Sequence, residues 1–122
     1  MKIRIYYEDT DAAGIVYYAN YLKFCERARS ELFFSRGLSP QGEGYFVVRR
    51  FEADYIGSAK LGDVIEVTTK LERLGGASLE LLQEVWLKRE VIFRARVRLA
   101  YLKGGRPARI PPDLAALLRS WA

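Results

Sequence analysis

Half of the 122 residues are hydrophobic and 29% are charged, the balance of a folded chain and not of a disordered tail. The length suits one domain over residues 1–122, large enough to bury about two thirds of its unfolded surface. Twenty basic against fifteen acidic side chains give a net charge of +5, which attracts polyanions, while the lack of any histidine excludes Ser-His-Asp and Cys-His catalysis and histidine-bearing zinc sites.

The lone cysteine, Cys25, cannot close a disulfide within the chain. No apolar run is long enough to span a membrane or follows the signal-peptide plan, so a cytoplasmic protein is expected. Residues 2–8 alternate, with Ile3, Ile5 and Tyr7 against Lys2, Arg4 and Tyr6, as a short strand does. The turn DTDAAG stops it. From Asn20 the apolar residues Tyr21, Phe24, Cys25, Ala28 and Leu32 recur at steps of three and four. That spacing predicts one amphipathic helix, capped by Asn20 and ended by Gly37 and Pro40 in SRGLSP.

Residues 45–57 read as extended, with Val47, Phe51, Ala53 and Tyr55 on one parity and Arg50, Glu52 and Asp54 on the other. Three further strands follow over residues 64–74, 79–88 and 91–103. Facing Leu71 with Leu81 requires an odd link at GGA, hence a turn of three residues with a left-handed glycine. The same register sets Glu80 and Glu84 on the face of Arg94, Arg96 and Arg98, a ladder of paired charges. PPDLAALLRSW then offers Asp113 as a cap and Leu114, Leu117, Leu118 and Trp121 as one stripe, a terminal docking helix. The order predicts an α+β fold in which one curved antiparallel sheet wraps around a long central helix. Uncovered sheet edges imply a homo-oligomer.

The chemistry concentrates in the first thirty residues. Asp9 is expected to order the turn, and Glu8 to be a solvated charge. The spacing of Glu8, Asp9 and Asp11 supplies too few oxygen ligands for a metal. Tyr17, Tyr18 and Tyr21 suit core or interface aromatics and pocket walls equally, Glu26 and Arg29 suit a helix-surface or subunit ion pair, and Cys25 suits an inert core thiol. Asp11 alone would be a turn residue or a helix cap.

The stretch YYEDTDAAGIVYYANYLKFCERARSELF nevertheless resembles the signature of the hotdog-fold acyl-CoA thioesterases of the 4-hydroxybenzoyl-CoA thioesterase class. That pattern runs Asp-x-Asp-x-x-Gly-x-Val-Tyr, then aromatic or His, x, Asn-Tyr, and later Glu-x-Ala-Arg. ADYIGSAKLGDVIEV and GGASLELLQEV are similar to later family segments, except that Ser58 stands where many members have proline. Tyr18 is what the hydroxybenzoyl branch carries, where many members of the Tol-Pal-associated branch have histidine.

The resemblance implies an acyl-CoA thioester hydrolase that releases free acid and coenzyme A, with no cofactor or metal beyond the substrate's own coenzyme A. Its phosphates would account for the positive balance. Asp11 maps onto the catalytic carboxylate, acting as a nucleophile or as a general base on water. The Tyr18 amide maps onto the donor that holds the carbonyl oxygen, and amides over residues 16–18 would favour negative charge there. Ala12, Ala13 and Gly14 would admit the thioester, with Gly14, Val16 and Tyr17 lining the substrate. A dimer or a tetramer of dimers is implied, with sites between subunits. The alternative is a non-catalytic module that binds acyl-CoA or acyl carrier protein. Nucleic acid is not expected as a partner, since no RNP, KH, zinc-finger or helix-turn-helix signature is present. Dehydration of a hydroxyacyl thioester on the same fold needs a histidine this chain lacks.

Overall fold

In the computed structural model, which describes all 122 residues, the alternating segments form β1 (Lys2–Arg4), β2 (Tyr45–Tyr55), β3 (Val64–Leu74), β4 (Ser78–Leu87), β5 (Glu90–Lys103) and β6 (Arg106–Pro107). The periodic segments form α1 (Asn20–Phe34) and α2 (Pro112–Arg119). Five strands make one antiparallel sheet in the order β1-β3-β4-β5-β2, with β6 paired to β5. Leu71 pairs with Leu81 as the alternation requires, and Glu80 and Glu84 pair with Arg98 and Arg94. Those carboxylates hold the guanidinium groups at 2.7 and 2.8 Å, and Arg96 turns to Glu72 at 3.0 Å.

A sheet wrapped around a long central helix is not what forms. The sheet is an open path whose ends, β1 and β2, do not pair with each other, so it neither closes nor encircles α1. α1 is one of two short helices and lies on one face, burying Tyr21, Phe24, Cys25, Ala28 and Phe33 while Leu22, Lys23, Glu26 and Arg27 stay exposed. Alternation along a strand reports which face is buried and carries no information on how far the sheet bends. The opposite face holds the arginine ladder and stays out of the core.

Smaller departures have local causes. β1 stops at Arg4, because residues 7–9 wind into a 3-10 turn that leaves Tyr7 82% exposed instead of inward. Asn20 is the first helical residue and not a cap, its side chain being drawn to Asp9. Asp113 likewise falls inside α2, which Pro111 precedes. The link between β3 and β4 has three residues, but neither Gly75 nor Gly76 is left-handed, and a bulge at Glu72 absorbs the odd residue. The left-handed non-glycine positions are Lys88 and Arg89, in the turn between β4 and β5.

The core lies between α1 and the sheet, where the Tyr21 ring stacks on Phe93 with centroids 4.9 Å apart. α2 closes the far end with Leu114, Leu117 and Leu118, and Trp121, in the turn that follows, meets Phe33 edge-on at 5.2 Å. Each such fully buried side chain stabilises by about 1.5–3 kcal/mol. One polar group sits among them. Gln83 is fully buried, and its Nε2 donates to the Cys25 carbonyl and to Thr69 Oγ1, both at 3.0 Å, which ties α1 to β3 and β4.

Burial pushes the Cys25 thiol up to about 12, so no thiolate is available at neutral pH. The native protein is therefore expected to resist a disulfide reagent in mildly alkaline buffer and to react fully once denatured. Rapid labelling of the native protein would contradict this packing of α1.

Candidate active site

Three carboxylates precede α1, and the structure sends them to different places. Glu8 is exposed. Asp9 is only 5% exposed, and its two carboxylate oxygens accept the Tyr6 N–H and the Asn20 Nδ2, each at 2.9 Å. Its carbonyl accepts the Tyr17 N–H at 2.9 Å. Asp9 thus ties both ends of the loop over residues 10–19 to one buried point, which extends the turn-ordering role its position suggested. The carboxylates diverge, and no three metal-ligating side chains come together.

Asp11 is exposed at the tip of that loop. Its Oδ1 accepts the Ala13 N–H at 2.9 Å, its carbonyl accepts the Gly14 N–H at 3.0 Å, and its own N–H donates to the Ile15 carbonyl at 2.9 Å. Oδ2 has no partner within the chain. Gly14 has φ +79, and a Cβ there would meet nothing within 4 Å. Glycine is required by the left-handed backbone and not by a close neighbour within the chain. The rising side of the loop is sewn to residues 59–60, with the Val16 N–H donating to the Ala59 carbonyl at 2.9 Å.

The amides entering α1 are not equivalent. Val16 and Tyr17 spend theirs on Ala59 and Asp9, whereas the Tyr18 and Ala19 N–H groups make no hydrogen bond within the chain. This narrows the set of free donors expected over residues 16–18 to Tyr18, and adds Ala19. Both are held in direction. The Tyr17 carbonyl accepts the Asn20 N–H at 2.8 Å, and a planar trans peptide then aims the Tyr18 N–H the opposite way. The Tyr18 carbonyl accepts the Tyr55 Oη at 2.8 Å, which fixes the Ala19 N–H in turn. Unspent amides at a helix start favour negative charge.

Tyr18 also lines an apolar pocket of about 270 Å³, shared with Ile15, Val16, Tyr21, Tyr55 and Ile56 and with the smaller Gly57 and Ser58. The Tyr18 ring stands 6.2 Å from Tyr55 and 4.9 Å from Tyr17. Burial raises the pKa of the Tyr21 and Tyr55 phenols, and the neighbouring Tyr18 phenol raises that of Tyr17, so all three are neutral near pH 7. Of the residues expected at the site, Val16 and Tyr18 line this pocket and Tyr17 flanks it, while Asp11 and Gly14 sit at the loop tip outside its walls. Tyr55 and Asn20 were missed as positioning groups. Tyr55 carried a faint signal, since it is the last aromatic on the parity of Val47, Phe51 and Ala53 in β2, whereas the Asn20 contact spans eleven residues and has no local mark.

Comparison with known proteins gives the same reading from another direction. The profile of the Thioesterase superfamily matches residues 13–93. An acyl-CoA thioesterase YbgC from Helicobacter pylori is 49% identical over 87 residues, covering 70% of this chain and 65% of that protein, just under two thirds of its length. One from Haemophilus influenzae is 36% identical over 121 residues, covering 93% of this chain and 89% of that protein. Among solved structures, a thioesterase from Thermus thermophilus complexed with coenzyme A and zinc superposes with a TM-score of 0.87 at 30% identity, covering 99% of this chain and 92% of the other.

The Asp9 anchor makes a direct forecast. Asn20→Ala leaves a buried carboxylate oxygen without its donor and is expected to cost about 1–3 kcal/mol in urea unfolding, with faster hydrogen exchange at the Tyr17 amide. Stability and exchange both unchanged would show that the loop is held by something else.

Proposed function

Because the chain belongs to the thioesterase superfamily, we propose that it is an acyl-CoA thioester hydrolase, an enzyme that releases a free acid and coenzyme A. The observation that carries this reading is the Tyr18 amide, unspent and fixed in direction, on a residue that lines an apolar pocket. A thioester whose acyl group enters the pocket puts its carbonyl oxygen on that N–H, where the charge that grows during attack is stabilised. Asp11 Oδ2 supplies the attack. As a nucleophile it adds to the thioester carbon, expels the coenzyme A thiolate and leaves an acyl anhydride that water opens. As a general base it takes a proton from water as the water oxygen adds to the same carbon, and the thiolate leaves with a proton. Val16 and Tyr17 shape the approach, and Gly14 lets the loop tip turn back.

Asp11 lies outside the pocket walls of one chain, which favours a site completed by a second copy. β2 leaves its outer edge unpaired beyond the Gln41–Tyr45 bridge, over residues 46–55, and a strand edge of that length invites pairing. The working form is therefore a dimer or a tetramer of dimers of single-domain chains. No helix is long and apolar enough to cross a membrane, and a cytoplasmic location is part of the same proposal. The rival is a module that binds acyl-CoA without turnover, favoured by one observation, that Asp11 Oδ1 is already used to close its own turn.

Asp11→Asn separates the two readings, because an amide oxygen can still accept the Ala13 N–H while losing the charge that attacks. Thiol release should be followed from acetyl-, butyryl-, hexanoyl-, palmitoyl-, benzoyl- and phenylacetyl-CoA. Native turnover that falls by about a hundredfold to ten-thousandfold in Asp11→Asn, with an unchanged melting temperature, is expected. Binding of coenzyme A without hydrolysis of any of them would favour the module.

A further inference from the structure

The largest anomaly outside this site is Arg29. Arg29 is half-buried, with burial lowering its pKa, and its one hydrogen bond within the chain goes to a neutral group, from Nη1 to Gln83 Oε1 at 2.9 Å. Within the chain the helix-surface pair with Glu26 does not form. The Glu26 carboxylate accepts the Ser30 Oγ at 2.9 Å instead, and no carboxylate lies within 4.0 Å of Arg29. The remaining N–H donors of Arg29 have no acceptor within the chain. A cation that is partly withdrawn from water favours a negative partner, and this chain places none on Arg29.

Arg29 also lines a cavity of about 410 Å³ between α1, β2, β5 and α2. The other walls include Phe33, Phe46, Leu99, Leu118 and Trp121, with Glu26 and Ser30 on the same lining. A planar fork of unspent donors against an aromatic and aliphatic wall matches a carboxylate on an apolar body. We propose that this cavity binds an amphipathic carboxylate, its charged end on Arg29 and its chain against Phe33, Phe46, Leu118 and Trp121. Two sources share that chemistry. One is the free acid that thioester hydrolysis releases, and the other is the distal carboxylate of a dicarboxylic acyl-CoA. The link to either source rests on the thioesterase reading, whereas binding of the acid does not.

Trp121 lies in the wall, so its fluorescence reports occupancy once Trp86→Phe removes the other indole. Titration with octanoate should give a saturable change that octanol does not reproduce. Arg29→Gln should weaken binding by about tenfold or more, ~1.4 kcal/mol, and Arg29→Lys should restore part of it. Glu26→Gln, on the exposed face of α1, removes a like charge and should tighten binding several-fold, which keeps the test decisive should Arg29→Gln unfold the chain. Turnover of suberyl-CoA against octanoyl-CoA separates the sources. A preference for suberyl-CoA that Arg29→Gln abolishes identifies the distal carboxylate, and equal turnover with octanoate binding intact identifies the released acid. No saturable change, affinity indifferent to both substitutions, or an Arg29→Gln effect confined to oligomeric state would overturn the proposal, the last by placing a second copy's carboxylate on Arg29.

Discussion

A single buried carboxylate sets the terms for the front of this molecule. Asp9 accepts the Tyr6 N–H and the Asn20 amide through its side chain and the Tyr17 N–H through its carbonyl, so three points of the chain meet at one residue. The segment between residues 10 and 16 has nowhere to go but outward, as a short loop with Asp11 at its tip. The same contacts decide which amides are spent and which are left. Asp9 takes the N–H of Tyr17, Ala59 takes that of Val16, and the next two along the chain remain open at the start of α1. A site for negative charge is thus a by-product of how the loop is tied down.

The rest of the fold keeps α1 where that loop needs it. Gln83 binds the Cys25 carbonyl from beneath, and Tyr21 lies flat on Phe93 while its hydroxyl accepts the Ala59 N–H at 3.2 Å. Tyr21 therefore serves the core with its ring and the site loop with its oxygen. On the other face, Glu72, Glu80 and Glu84 pair with Arg96, Arg98 and Arg94, and Arg98 above all holds the Glu80 carboxyl below its usual pKa. Exposed pairs of this kind add little to stability. Their consequence is directional, since a charged face cannot exchange places with the apolar one, and the helix has only one side on which to pack.

Much of this was legible because it is periodic. The alternation of Ile65, Val67, Thr69 and Leu71 against charged neighbours located β3 to the residue, and the spacing of Tyr21, Phe24, Cys25 and Ala28 located the buried stripe of α1. The family resemblance of the segment around Asp11 and Tyr18 likewise led to the loop and helix start described above. What escaped was whatever depends on distance in space. Alternation could not say that the sheet stays open, because bending leaves no mark on parity. The pairing of Asn20 with Asp9, of Tyr55 with the Tyr18 carbonyl and of Arg29 with Gln83 joins residues 11, 37 and 54 positions apart, and no local pattern reports such contacts. Glycine in GGA suggested a left-handed turn, yet a bulge at Glu72 corrected the parity first.

The most direct test is a crystal structure of the Asp11→Asn protein with octanoyl-CoA bound. The account predicts the thioester oxygen within hydrogen-bond reach of the Tyr18 amide, the acyl chain passing between Tyr18 and Tyr55, and the side chain at position 11 of one subunit beside the thioester carbon. A thioester bound away from the start of α1, with the Tyr18 amide left to solvent, would contradict it.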